Sequence, residues 1–157
     1  MLGQYLPMLA LFGLAVLFAG LSMDEAVSFH EKTIQPLRDA FDLGGVFFFS
    51  WVVPAAIAVG VLALVLRRFV WAIEPPERWI FVLSAVLYVG GALGMELVGG
   101  AIADSQGQRN VTYITVVSIE ELLEMLGIVV FLYGLARVQR AFDAGPGSAQ
   151  VVDQARP

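Results

Sequence analysis

Ser118-Ile-Glu-Glu-Leu-Leu-Glu-Met125 places three glutamates inside an otherwise apolar run from Val111 to Ala136. If that run is a helix crossing a bilayer, the fold is a membrane bundle with carboxyl groups at membrane depth, where ionisable side chains are costly and mark function. If the helix instead begins at Ser118, whose spacing to Glu121 fits a capping box, the acids lie in a wet first turn. The eighteen residues from Ile119 to Ala136 would then barely span.

Composition favours the membrane reading. The chain has 157 residues, 59% hydrophobic and only 15% charged, with a mean hydropathy of +0.80, the profile of an integral membrane protein. The net charge of -5 comes with no long basic run, so nucleic acid is not an expected partner. There is no cysteine and one histidine, His30. Disulfides, thiolate metal sites and any site needing two imidazoles from one chain are thereby excluded.

A hydrocarbon core of about 30 Å takes about 20 apolar helical residues, and four stretches qualify. They are roughly residues 2–23, 44–66, 79–103 and 111–136. The expected class is all-α, an integral membrane bundle of four transmembrane helices forming one domain over residues 1–141. Arg67, Arg68 and Arg78 around the second connection, with Arg137 and Arg140 after the fourth span, set an N-in/C-in orientation by the positive-inside rule. Trp71 and Trp79 flank the inner loop at aromatic-belt depth. The loops 24–43 and 104–110 then lie on the outer side. A cleaved signal peptide is the alternative for the first span, although its start lacks Lys and Arg. Residues 142–157 read as a disordered cytoplasmic tail.

Between the first two spans, Ser22 and Glu25 fit another capping box and Gln35-Pro36 a helix stop. The expectation is a short outer amphipathic helix over about 23–35, with Asp24, Ser28 and Glu31 on one face and His30 pointing elsewhere. Pro54, in mid-span, is expected to kink the second helix and free a carbonyl near Ser50. In the third span Gly90 and Gly94 form a G-x-x-x-G pair for close helix packing, with Ala92, Glu96 and Gly100 as a second row. Gly127 and Gly134 continue a packing seam with Glu120, Glu124 and Phe131 on the fourth.

Helical rise converts position to depth. Glu96 lies roughly 10 Å below the outer end of its helix, and Glu120, Glu121 and Glu124 about 13 to 20 Å below theirs. Asp24, Glu25, His30 and Glu31 stand at the outer mouth. Four ionised glutamates would cost on the order of 10 kcal/mol at about 2.5–3.5 kcal/mol each, and no Lys or Arg lies within the spans to offset this. Lys32, Arg38 and Arg109 reach only the upper acids. The interior carboxyls therefore carry protons, hold a cation or face water. A divalent cation at Glu96, Glu121, Glu124, Glu25 and His30 would see oxygen-rich coordination, which suits Mn, Fe, Mg or Ca, then Zn. Both Glu-x-x-His motifs of carboxylate di-iron bundles are missing.

The segments "LSMDEAVSFHE", "YVGGALGMELVGG" and "SIEELLEMLGIVVFLYGL" resemble a family of uncharacterised bacterial integral membrane proteins, some loosely labelled multidrug transporter. The likeness runs from about Leu11 to Leu135. It implies a shared polytopic fold in a bacterial inner membrane and says little about activity. It also implies longer relatives with a further apolar segment pair upstream, so that this chain is a short version or begins at an internal methionine. Three functions follow from the residues. The favoured one is proton- or cation-coupled transport of a small solute or ion, by a homo-oligomer because four helices are few for a complete path. The second is a carboxylate/His metal enzyme or redox subunit, and the third a non-catalytic accessory subunit of a membrane complex. No nucleophile and base pair stands out, so the enzyme reading comes after transport.

Overall fold

The computed structural model describes the chain path of residues 6–143 and side-chain surroundings for residues 12–140. Among the described residues there is helix and no strand. The helices are α1 (Leu6–Val27), α2 (Phe29–Phe41), α3 (Val52–Ala72), α4 (Pro75–Val89), α5 (Glu96–Gln106) and α6 (Val111–Asp143). A 3-10 turn, Gly45–Phe47, precedes α3, and a π-helical segment, Gly90–Met95, joins α4 to α5 without a break. Two helices are long and apolar enough to cross a membrane, Val52–Ala72 and Pro75–Gln106, or three if the bent α1–α2 pair counts as one span. The glutamate-bearing α6 is not among them.

The packed centre is the antiparallel pair formed by α6 and the continuous α4–α5 rod. Small residues set its spacing. A Cβ on Gly127 would meet the Tyr88 backbone nitrogen at 2.8 Å, and one on Gly134 would meet Phe81 at 3.0 Å. The Ser84 hydroxyl, buried between the helices, donates to the Gly127 carbonyl at 2.9 Å. Gly127 and Gly134 thus lie where α6 comes closest to α4. Gly90 and Gly94 do not: a Cβ on either meets nothing within 4 Å. The close contact is made by Gly91, whose Cβ would lie 2.9 Å from the Glu120 carbonyl oxygen.

Gly91 follows Ser84 and Tyr88, which meet Gly127, at ordinary helical spacing. The π segment changes the phase beyond it. In an α-helix residues i and i+5 point about 140° apart, whereas the wider i→i+5 turn brings them toward one side, and Glu96, five residues on from Gly91, lines the cavity between the helices. The glycine-rich Gly90-Gly-Ala-Leu-Gly94 run supplies no β-branched side chain to oppose the widened turn.

Several boundaries differ from expectation. Helix α1 runs through both Ser22 and Glu25, so these two form no capping box, and the break falls at Ser28, a left-handed residue with φ 48°. The chain bends there by 76°. Pro36 lies inside α2 rather than ending it. Helix α3 starts at Val52, which puts Pro54 in the first turn, where a missing N–H costs nothing and no kink follows. Ser50 is fully buried, and its hydroxyl donates to the Ile34 carbonyl at 2.8 Å, tying α2 to the start of α3. Helix α6 is continuous from Val111, and Ser118 bonds back to the Ile114 carbonyl within it, so the alternative start at Ser118 is wrong. The helix continues through residues 142–143, whereas residues 2–5 of the first expected span and 144–157 of the expected tail lie outside the described residues.

The loops 42–51 and 104–110 share one end of the bundle, where the Gly45 amide donates to Asp104 at 3.1 Å. At the opposite end Arg137 pairs with Glu77 at 2.9 Å. Arg78 lies over the Trp71 ring there, 4.6 Å from its centroid. Few side chains are buried: the apolar ones are Phe49, Val52, Ala103 and Val116. On α3, Ile57, Leu64 and Val65 are each more than 60% exposed. Such apolar outer surface is stable in lipid and a liability in water.

Candidate functional site

Helices α1 and α3 lean on the α4–α6 centre loosely and leave a cavity of about 1150 Å³ between them. All eight residues singled out as acids or histidine line it. Asp24, Glu25, His30 and Glu31 come from the α1–α2 bend. Glu96 comes from the start of α5, and Glu120, Glu121 and Glu124 from the middle of α6. Glu96, Glu120 and Glu124 are half-buried, whereas Glu121 is exposed.

At the mouth, Asp24 accepts from the His30 backbone N–H at 3.0 Å and is hydrogen-bonded to Nδ1 of its ring. The left-handed Ser28 makes this possible, because it folds α2 back toward the last turn of α1. Asp24 thus caps α2 from six residues upstream and orients the imidazole. His30 and Glu31 both line the cavity, contrary to the expectation that His30 points elsewhere.

Trp51, which the sequence reading missed, connects the mouth to the interior. Its ring lies 4.8 Å from that of His30, and its Nε1–H donates to Glu96 Oε1 at 2.8 Å. The result is a polar chain, Asp24–His30–Trp51–Glu96, that ends in the cavity also lined by Glu120 and Glu124. The only signal for Trp51 in the sequence was an indole at the edge of an apolar stretch, which reads as an interfacial anchor just as well.

The basic residues stay away. Arg38, expected to reach the upper acids, stacks over Phe48 at 4.1 Å and donates to the Leu43 carbonyl. Among the described residues no Lys or Arg lines the cavity. Nor do the acids assemble as metal ligands. Among the described residues no three His, Asp or Glu side chains are grouped to hold a metal ion, so the expected convergence of Glu96, Glu121 and Glu124 with Glu25 and His30 on a divalent cation is not there. The α6 residues reach the cavity at successive turns instead of converging.

Below the acids the lining is apolar and aromatic. Phe131 meets Phe18 of α1 at 5.3 Å and Phe81 of α4 at 5.6 Å between ring centroids. The cavity continues past them to Ile73, Glu74 and Glu77 at the opposite end. Gly90 and Gly94 border a separate, shallow apolar groove on the outside, with Ala56 and Leu97.

The chain belongs to a family described as a domain of unknown function (DUF8692), whose model matches residues 7–138. No curated protein and no solved structure matches it.

Proposed function

We propose that this chain is a multi-pass protein of a bacterial plasma membrane, with four spans in an N-in/C-in arrangement, that couples proton or cation movement to passage of a small solute. One observation carries the reading: the expected acids and His30 line a single elongated cavity that, among the described residues, no Lys or Arg lines. Carboxyl groups at that depth need protons, water or a positively charged occupant. Coupling then consists of exchange: a positive species entering the cavity displaces a proton, which leaves by His30 at the mouth. In this reading the α2 end faces outward and the Arg67/Arg68/Arg137 end faces the cytoplasm.

The metal-enzyme reading is weaker because no ligand set of three gathers among the described residues. A homo-oligomer remains part of the proposal, since α1 and α3 alone enclose the cavity loosely.

Proteoliposomes holding the full chain and a trapped pH dye test the proposal. An imposed cation gradient is expected to drive proton movement, and Glu96→Gln and Glu120→Gln are each expected to lower it at least tenfold. Proton movement at the wild-type rate in both variants would overturn the reading.

A further inference from the structure

We infer that the cavity takes an amphipathic organic cation, its positive group among Glu96, Glu120 and Glu124 and its apolar body against Phe18, Phe81 and Phe131. This rests on the transport reading above and names the class of its solute.

Charge is the first argument. Nine carboxyl groups line the cavity and, among the described residues, no Lys or Arg does; seven are at the α2 end and Glu74 and Glu77 at the other. Of these, Glu77 is paired with Arg137 and Asp24 is bonded to His30, and Glu25, Glu31, Glu74 and Glu121 are exposed. Glu96, Glu120 and Glu124, half-buried and with no basic partner among the described residues, are the groups a cationic guest would meet. An inorganic divalent ion requires several oxygen ligands at about 2.0–2.6 Å, and that grouping is not found among the described residues. A bulky ammonium-type charge has no such requirement. It is stabilised by field and by aromatic faces within about 6 Å, and carboxyls spread over successive helical turns suit it.

Size and zoning are the second argument. About 1150 Å³ is far more than a bare ion fills and slightly above the usual 300–1,000 Å³ of sites for small organic ligands. The polar groups lie toward one end. From Glu124 to Phe131 is seven residues, or roughly 10 Å along α6, which sets the distance from charged head to centre of the apolar body. Phe131 lies between Phe18 and Phe81 at that depth, so the body meets three rings from three helices. An apolar anion would meet the carboxyls unfavourably. A small hydrophilic cation would leave the aromatic half filled only by poorly bonded water.

Equilibrium binding to the purified full chain in a neutral detergent tests this with three probes. Tetraphenylphosphonium has charge and apolar body, tetraphenylborate the same shape with opposite charge, and tetramethylammonium the charge with little body. The phosphonium is expected to bind at least tenfold more tightly than either of the others. Its affinity is expected to fall at least tenfold in Glu96→Gln/Glu120→Gln. A loss of about fivefold is expected in Phe131→Leu, which keeps apolar volume and removes the ring, so that failure to fold does not confuse the result. Equal binding of phosphonium and borate, or phosphonium affinity unchanged in the double variant, would overturn the inference. If the phosphonium fails to bind while glutamate-dependent proton movement persists in liposomes, the solute class is wrong and the transport reading stands. If it binds through the glutamates but drives no flux, the cavity is a binding site for this class and the transport reading is wrong.

Discussion

Replacing Gly91 with alanine should loosen the central helix pair, and the structure supplies both the magnitude and a built-in control. The added Cβ would sit 2.9 Å from the Glu120 carbonyl oxygen, 3.0 Å from Glu124 Cγ and 3.2 Å from the Glu124 amide nitrogen. Two of these are backbone atoms of α6, which cannot rotate away, so α6 must shift by a few tenths of an ångström. Overpacking of this kind costs about 1–3 kcal/mol. Against it stands the gain of up to ~1 kcal/mol from removing a glycine from a helix interior. Gly90→Ala and Gly94→Ala should show that gain alone, since their Cβ atoms meet nothing within 4 Å. The measurable quantity is therefore the difference: Gly91→Ala should be about 1–3 kcal/mol less stable than Gly90→Ala. Reversible unfolding in mixed detergent micelles, followed by helical circular dichroism, reads it. Equal stability of the two variants, or a larger loss at Gly90, would refute the close approach of α6 at Gly91 and return the packing role to the G-x-x-x-G pair.

Trp51→Phe removes the N–H donated to Glu96 while keeping a ring beside His30. It should cost about 0.5–1.5 kcal/mol in the same unfolding assay, whereas Trp79→Phe, at a residue 59% exposed, should change little; the reverse order would remove Trp51 from the polar chain. Asp24→Ala takes away the acceptor for the His30 backbone and ring and should cost about 1 kcal/mol, as a lost helix cap does. Amide exchange should quicken locally at the start of α2 and not in α4 or α6; uniform quickening would show that Asp24 supports the whole bundle rather than the bend.

Much of the site was legible because charge at membrane depth is a one-dimensional signal. Counting residues from the helix ends placed Glu96, Glu120 and Glu124 roughly 10 to 20 Å below the outer end, and those three do line one cavity. Counting cannot supply convergence: among the described residues no three such side chains group to hold a metal ion, and side chains one turn apart on α6 enter a long cavity at successive levels. Trp51 was passed over because its role depends on α2 folding back across the end of the bundle, which requires a left-handed Ser28. Serine at that position carries no strong sequence mark for such a conformation.

By itself, the amino-acid sequence determined an all-helical, strongly apolar chain with a cluster of acids toward one end and the arginines Arg67, Arg68, Arg78, Arg137 and Arg140 toward the other. Composition, periodicity and rise per residue are properties of each helix alone. Only the tertiary structure decided which glycine packs, that Pro54 begins a helix rather than bending one, and that the glutamates of Ser118 to Met125 share a cavity with Glu96. For Glu96 the reason is rotational phase: a single i→i+5 turn at Gly90–Met95 brings it, rather than Met95, into the cavity. No sequence pattern read at 3.6 residues per turn carries that information.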